Sequence, residues 1–270
     1  MSVLQAICDD RRLAVERCRR EVSVEALRES PLYDAPTHSL RAALSQPGLQ
    51  VIAEHKRASP SQGSYGVQLS PVEVALAYQA AGAAALSVLT EPSRFGGSLD
   101  HLRAIRKAVP MPLLRKDFIV DAYQLHEAKA AGADAVLLIA AALTLEEAQE
   151  LRTTAHHLDL EVLLEIHSDA ELDYLSISPD VVGVNNRNLA TLQIDLNTSA
   201  SLVEHLPEGQ IRISESGIQN GGDGQKMEAL GYDGVLIGTQ FMTTAKPGEA
   251  LATFLNGVSH AMPLNSRQRS

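Results

Sequence analysis

Three decapeptides in this chain repeat one pattern, and the pattern constrains most of what the chain can fold into. AAGAAALSVL (80–89), AAGADAVLLI (130–139) and ALGYDGVLIG (229–238) each carry a helical stretch into a glycine and then into a β-rich run. Glycine takes the left-handed conformation that ends a helix without steric cost, so Gly82, Gly132 and Gly231 read as helix caps. They stand 50 and 99 residues apart. One βα unit occupies roughly 25–30 residues, so the steps correspond to two and four units. A supersecondary unit repeated in this way predicts a closed α/β array.

Strands are expected near 50–55, 84–89, 112–116, 134–140, 160–166, 181–185, 210–214 and 233–238. Helices are expected between and after them, over 71–81, 98–108, 121–131, 144–157, 168–175, 197–205, 220–230 and 247–258. Most of the strands are near-continuous apolar runs, as required when both faces of a sheet are covered. Strict alternation predicts an α/β fold, a (β/α)8 TIM barrel, with a doubly wound sheet as the alternative. The 270 residues suit one such domain. Residues 1–48 form its N-terminal helical extension: an amphipathic helix within 2–29, a Pro-containing connection and a short helix near 38–45. The tail, 260–270, is expected to be disordered.

Composition removes several classes of function. A formal charge of −10 and a pI near 5.4 exclude the basic stripe of a nucleic-acid binder and attraction to an anionic membrane. Cys8 and Cys18 lie ten residues apart in a helical pattern, which is neither a disulfide framework nor a zinc spacing. The nine histidines are scattered, so no metal is expected. No apolar run approaches a membrane span, and MSVLQAICDDRRL turns charged too early for a signal peptide. A cytoplasmic protein is the expectation.

In such barrels chemistry sits at the C-terminal ends of the strands. The first strand ends in Glu54 and Lys56, two apart and so on one face with Ile52, while His55 points the other way as a packing residue. Lys116 ends the third strand and Glu165 the fifth; Asn185-Asn186-Arg187, Glu215-Ser216-Gly217 and Gly238-Thr239 end the sixth, seventh and eighth. Parity points Arg57 and Arg115 outward, to pair on the surface. Singly, a charged residue at a strand end is an ordinary solvated loop residue. Together, ionisable groups from five strands at one end of a barrel must neutralise one another or meet a charged ligand. Barrels often hold phosphate with the loops after strands seven and eight. Ser216-Gly217 and Gly238-Thr239 offer the hydroxyls and bare N–H groups that suit it, with Arg187 and Ser59 close by. Ser59-Pro60-Ser61 starts a closing loop, and Ser61–Gly66 reads as a flexible lid.

EHKRASPSQG, LSVLTEPSRFGGSLDHL, LLRKDFIVDAYQLHEAKAAGADAVLLIAA, LLEIH, VGVNNRNLATLQIDL, SESGI and VLIGTQFM together resemble the indole-3-glycerol phosphate synthase family of tryptophan biosynthesis, over about residues 5–258 and in the family's order. The resemblance implies a (β/α)8 lyase that needs no cofactor or metal. Its small-molecule phosphorylated substrate is 1-(2-carboxyphenylamino)-1-deoxyribulose 5-phosphate, which it cyclises, decarboxylates and dehydrates. By motif match Lys116 is the general acid for ring closure. Lys56 binds the substrate carboxylate and is a candidate proton donor in dehydration, and Glu165 is the second acid–base group. Glu54, Asn185 and Glu215 orient these groups. Phe95 and Phe118 pack near the aromatic ring, and Ser59, Arg187, Ser216, Gly217, Gly238 and Thr239 serve the phosphate. A monomer is expected, with a weak homodimer or contacts with other tryptophan-pathway enzymes as alternatives.

Three departures from the family pattern stand out: Asn188 for Asp, Gln240-Phe241 after IGT, and three glycines in IQNGGDGQK (218–226). Glycine inside a helix costs about 1 kcal/mol, so a loosely formed start to the seventh barrel helix is expected. The isomerase of the preceding pathway step, by resemblance, needs a cysteine at the end of strand one, where Glu54 and Lys56 stand instead. A non-catalytic metabolite-binding barrel, or a paralogue with an altered substrate, is the remaining alternative.

Overall fold

The computed structural model describes residues 3–59, 63–66, 68–189 and 191–259; the expected disorder of 260–270, and Pro60, Ser61 and Gln62 of the loop after strand one, lie outside them. The barrel strands are β1 (Gln50–His55), β2 (Ala85–Leu89), β3 (Leu113–Lys116), β4 (Ala135–Ile139), β5 (Glu161–Ile166), β6 (Val181–Asn185), β7 (Ile211–Glu215) and β8 (Gly234–Ile237). They close into a parallel barrel in sequence order, β1 pairing with both β2 and β8.

The decapeptide repeats are structural repeats down to their hydrogen bonds. Gly82, Gly132 and Gly231 all have left-handed φ, at 95°, 83° and 93°. The next residue donates its N–H five residues back each time: Ala83 to Tyr78, Ala133 to Ala128 and Tyr232 to Met227, all 3.0 Å. The residue after that turns into the sheet: Ala84 donates to Val51 O, Asp134 to Leu113 O and Asp233 to Arg212 O, all 2.9 Å. One cap thus ends the helix and sets the register of the following strand.

The helices are α1 (Val3–Glu21), α2 (Val24–Arg28), α3 (Leu40–Leu44), α4 (Pro71–Ala80), α5 (Pro92–Phe95), α6 (Leu99–Ala108), α7 (Tyr123–Ala131), α8 (Leu145–His157), α9 (Asn197–Leu202), α10 (Gly221–Leu230), α11 (Thr239–Met242) and α12 (Pro247–Ser259). The helix expected over 168–175 is instead a 3-10 helix, Asp169–Ile177. Its core-facing Leu172 and Leu175 are three apart, the repeat of the tighter helix. The helix expected over 197–205 divides into α9 and a 3-10 turn, Val203–His205. After β1, Ala58–Ser59 pairs with Gly63–Ser64 as an antiparallel ribbon.

The barrel interior is packed by Ile52, Ala85, Leu114, Ala135, Leu163, Val181 and Ile213. Leu40 and Leu44 of α3 join this cluster and plug the floor, held by Ser39 Oγ and Arg41 N donating to Glu161 at the start of β5, at 2.6 and 2.8 Å. The N-terminal extension therefore serves both ends of the barrel. α1 is tied to the β3–α7 side by Arg11–Asp117 (3.1 Å), by Arg19–Asp121 and by Tyr123 Oη donating to Val22 O (2.8 Å).

Arg115 does point out of the barrel, but it is 1 % exposed and does not reach the surface. On a strand wrapped by helices, outward means into the strand–helix interface. There its guanidinium donates to Thr90 Oγ1 (3.1 Å), Gln124 O (2.5 Å), Asp117 Oδ2 (3.0 Å) and Glu127 Oε2 (3.2 Å). Arg57 is half-buried rather than exposed. His55 does pack outside the barrel, edge-on to His101 at 5.4 Å, and burial pulls its pKa down to about 3.

The glycine-rich start of α10 is formed and capped, Asn220 Oδ1 accepting from Asp223 N. Gly221 and Gly224 face α12: a Cβ on Gly221 would lie 2.3 Å from the carbonyl carbon of Gly257, and one on Gly224 2.8 Å from Val258. These glycines permit a close helix crossing, a reason for them that composition alone does not supply.

Candidate active site

Strand parity carries the charged side chains from β1, β3, β5 and β7 into one cavity of about 560 Å³ at the C-terminal mouth. Glu54, Lys56, Ser59, Phe95, Lys116, Phe118, Glu165, Asn185, Arg187, Glu215, Ser216, Gly217, Gly238 and Thr239 all line it. That volume suits a small organic ligand.

Its polar centre is a trio. Lys116 Nζ donates to Glu215 Oε2 at 2.7 Å and to Glu165 Oε2 at 3.1 Å. Burial works to strip the ammonium of its proton, but the carboxylates of Glu165, Glu215 and Glu54 outweigh it and hold Lys116 above the usual lysine range. The two glutamates are pushed in opposite directions. Burial, with Glu165 as a neighbouring anion, outweighs the pull of Lys116 and lifts Glu215 to about 7; among the described residues its Oε1 has no hydrogen-bond partner. Glu165 is drawn down: burial opposes its charge, but Lys116 and His167 more than offset it. Carboxyl groups separated in this way can divide acid and base roles at neutral pH.

A second ion pair stands on β1, Lys56 Nζ to Glu54 Oε1 at 2.9 Å. Two glycines make room for these carboxylates. A Cβ on Gly183 would sit 2.3 Å from Glu215 Oε1, and one on Gly238 2.2 Å from Glu54 Oε1. Gly238 thus shapes the β1 corner as well as the loop after β8.

The anion-suited end lies beside Lys56. Tyr65 Oη is 3.1 Å from Ser59 Oγ and 3.2 Å from Thr239 Oγ1, and the Tyr65 ring lies 5.6 Å from Lys56 Nζ. Ser216 and Gly217 follow β7 with left-handed φ of 65° and 84°. Such backbone is costly for serine and recurs at functional sites. Asn185 Oδ1 accepts from Arg187 N (3.0 Å), and Arg187 Nη1 donates to Leu192 O (3.1 Å). Asn188 keeps a loop contact, its Oδ1 accepting from Thr191 N at 2.9 Å. Phe95 and Phe118 pack with ring centroids 6.2 Å apart and form an apolar wall.

Other contributors were not singled out in the sequence. Val3, Leu4 and Ile7 of α1 roof the cavity, and Leu137 and Ile139 of β4 line it. The helical spacing of the first three and the parity of the last two were readable signals, but nothing local says which surface an N-terminal helix covers. Tyr65 and His167 were legible only as loop residues. Among the described residues, no group of three or more His, Cys, Asp or Glu side chains could hold a metal, and no helix is long and apolar enough to cross a membrane.

Fold and cavity together define a (β/α)8 barrel with paired ammonium and carboxylate groups at its mouth, beside a corner rich in hydroxyls and glycine. The family model described as indole-3-glycerol phosphate synthase matches residues 4–254. The chain is 45 % identical over 256 residues to an indole-3-glycerol phosphate synthase of Bacteroides thetaiotaomicron, covering 95 % of this chain and 98 % of the relative. It is 45 % identical to that of Salinibacter ruber, over 93 % and 94 %, and 42 % to that of Rhodococcus jostii, over 96 % and 97 %. The chain belongs to the indole-3-glycerol phosphate synthase family. More distant solved structures share the fold alone. One is a thiamine phosphate pyrophosphorylase from Pyrococcus furiosus (TM-score 0.58, 16 % identity, 82 % of this chain and 98 % of that one). Another is a tryptophan synthase alpha subunit from Legionella pneumophila (TM-score 0.59, 15 % identity, 79 % and 94 %).

Proposed function

We propose that Lys116 is the general acid of an indole-3-glycerol phosphate synthase, the carboxy-lyase of tryptophan biosynthesis that turns 1-(2-carboxyphenylamino)-1-deoxyribulose 5-phosphate into indole-3-glycerol phosphate, CO2 and water. One observation carries the assignment: the Lys116 ammonium projects into the cavity between two carboxylates, at 2.7 and 3.1 Å. A proton donor so placed is oriented, and a protonated Glu215 carboxyl beside it can return a proton to the amine.

In the first step the carboxylate-bearing ring carbon attacks the ketone. A carbon–carbon bond forms, and the carbonyl oxygen, gathering charge, takes a proton from Lys116 Nζ. A fixed ammonium in a partly dry cavity stabilises such an oxyanion far better than water does. In the second step the bond to the carboxylate breaks, its electrons restore the ring and CO2 leaves. Lys56, in ion-pair contact with Glu54, holds that carboxylate, and Phe95 and Phe118 flank the ring. In the third step hydroxide leaves as water with a proton from an acid, Lys56 or Glu215, while Glu165 takes the ring proton. Asn185 orients the Arg187 loop. Ser59, Ser216, Gly217, Gly238 and Thr239 receive the phosphate with Arg187, and Tyr65 joins two of their hydroxyls. The same reading makes the protein a cytoplasmic monomer, to be checked by sedimentation.

Turnover is followed by indole fluorescence after adding the aminodeoxyribulose phosphate to wild type, Lys116→Ala and Glu165→Gln. Wild type turns over, and both variants lose at least about a hundredfold in kcat. Ordinary turnover by Lys116→Ala would remove that residue from the role.

A further inference from the structure

His167 stands behind the cavity, and no step above uses it. It lies two residues beyond Glu165 and so on the same side of the chain. Its Nε2 lies 3.2 Å from Glu165 Oε1, an ion-pair distance without hydrogen-bond alignment, while the other oxygen of that carboxylate accepts from Lys116. Its Nδ1 lies 3.4 Å from Glu171 Oε2, and its backbone N–H donates to the same oxygen at 2.7 Å. Glu171 comes from the 3-10 segment after β5, so two elements press carboxylates on one imidazole that is 9 % exposed. The result is a continuous row of ionisable groups: Glu171, His167, Glu165, Lys116, Glu215.

The line is asymmetric. Glu165 has a cationic group on each side, Lys116 and His167. Among the described residues Glu215 pairs with Lys116 alone, and its second oxygen is buried without a hydrogen-bond partner. We propose that His167, clamped between Glu165 and Glu171, is a positioning residue that keeps Glu165 the ionised carboxylate of the pair and leaves the exchangeable proton to Glu215. The inference rests on the assignment of Glu165 as a base. Burial opposes charge on His167, but the hydrogen bond to Glu171 and the attraction of both carboxylates push its pKa up to about 10, so it is an imidazolium throughout the neutral range. The opposite displacements of the two glutamates follow from the same geometry. A histidine acting merely as filler between β5 and the 3-10 segment would not require this sequence of charges.

Two measurements test the role. Nitrogen-15 NMR of the histidines in wild type, assigned with His167→Gln, reads the ionisation directly and needs no turnover. Both ring nitrogens of His167 carry protons at about pH 8, well above the free histidine value; a neutral ring there overturns the proposal. The pH profile of kcat/KM then reads the consequence. Glu165 must be ionised to act, and removing its cation raises its pKa, so the acid limb of His167→Gln moves upward by about one unit or more. Activity falls about tenfold or more on the acid limb itself and recovers at neutral pH and above, with KM at high pH within about threefold of wild type. Glu171→Gln, which leaves the imidazole in place, moves the limb the same way by less. A loss uniform across pH, or an unmoved acid limb in folded variants, overturns the proposal. If His167→Gln does not fold, wild-type NMR assigned with Glu171→Gln decides. A protonated ring in a protein without turnover would instead refute the catalytic reading of Glu165.

Discussion

Gly183 and Glu215 face each other across neighbouring strands so closely that a methyl group on Gly183 would sit 2.3 Å from Glu215 Oε1. β6 carries glycine there because β7 needs the space for a buried carboxylate. Gly183→Ala should push that carboxylate from Lys116 and, on the proposed mechanism, lower kcat about ten- to a hundredfold with little change in KM. The crowding should also cost about 1–3 kcal/mol of stability. Steady-state kinetics and urea unfolding of one variant read both effects.

Glu215 leaves a signature on stability against pH. Its folded pKa is raised to about 7 from an ordinary value of 4.5, so between those values the folded chain holds a proton that the unfolded chain has lost. Stability from this group is fully present below the lower value and is lost as pH rises through the window. Glu215→Gln should flatten that decline. Urea midpoints at about pH 5 and pH 7.5 check it: the difference between them shrinks in the variant.

Arg115 should matter more than its distance from the cavity suggests. Arg115→Met keeps much of the volume but takes the guanidinium from Glu127 and one of two from Asp117, and breaking a buried pair from one side costs about 3–5 kcal/mol. Asp117 also bonds Arg11 of α1 and Thr90, so the roof of the cavity loosens with it. Equilibrium unfolding should show the loss. A change below about 0.5 kcal/mol would mean the network is not cooperative.

Adjacent glycines on α10 should respond with opposite signs. Gly222 is exposed, its nearest contact being the Asn220 cap at 3.1 Å, and alanine there should stabilise by about 0.5–1 kcal/mol. Gly221 lies against Gly257, where alanine should destabilise by about 1–3 kcal/mol despite its better helix propensity. Thermal unfolding of the two variants side by side separates propensity from packing.

Strand ends were legible because alternation has a period of two: once β1 is a strand, Glu54 and Lys56 share a face and His55 does not. The same rule gave the direction of Arg115 but not its surroundings, which depend on where α7 lies. Asp117, Gln124 and Glu127, its partners, are unremarkable as a sequence pattern. His167 was visible in LLEIH, yet its meaning depends on Glu171 folding back as a 3-10 turn where an α-helix was expected.

The residues alone therefore settled what is local or periodic: the helix caps at Gly82, Gly132 and Gly231, the strand order they imply, and the face each charged group takes. Dihedral preference and the two-residue pleat decide these within a few positions of chain. Only tertiary structure decided which groups meet: Glu215 in the space left by Gly183, α1 over the mouth, α3 beneath the floor, and His167 between its two carboxylates. These contacts join residues whose spacing follows no period, and their energies come from burial and charge pairing that exist only once the barrel has closed.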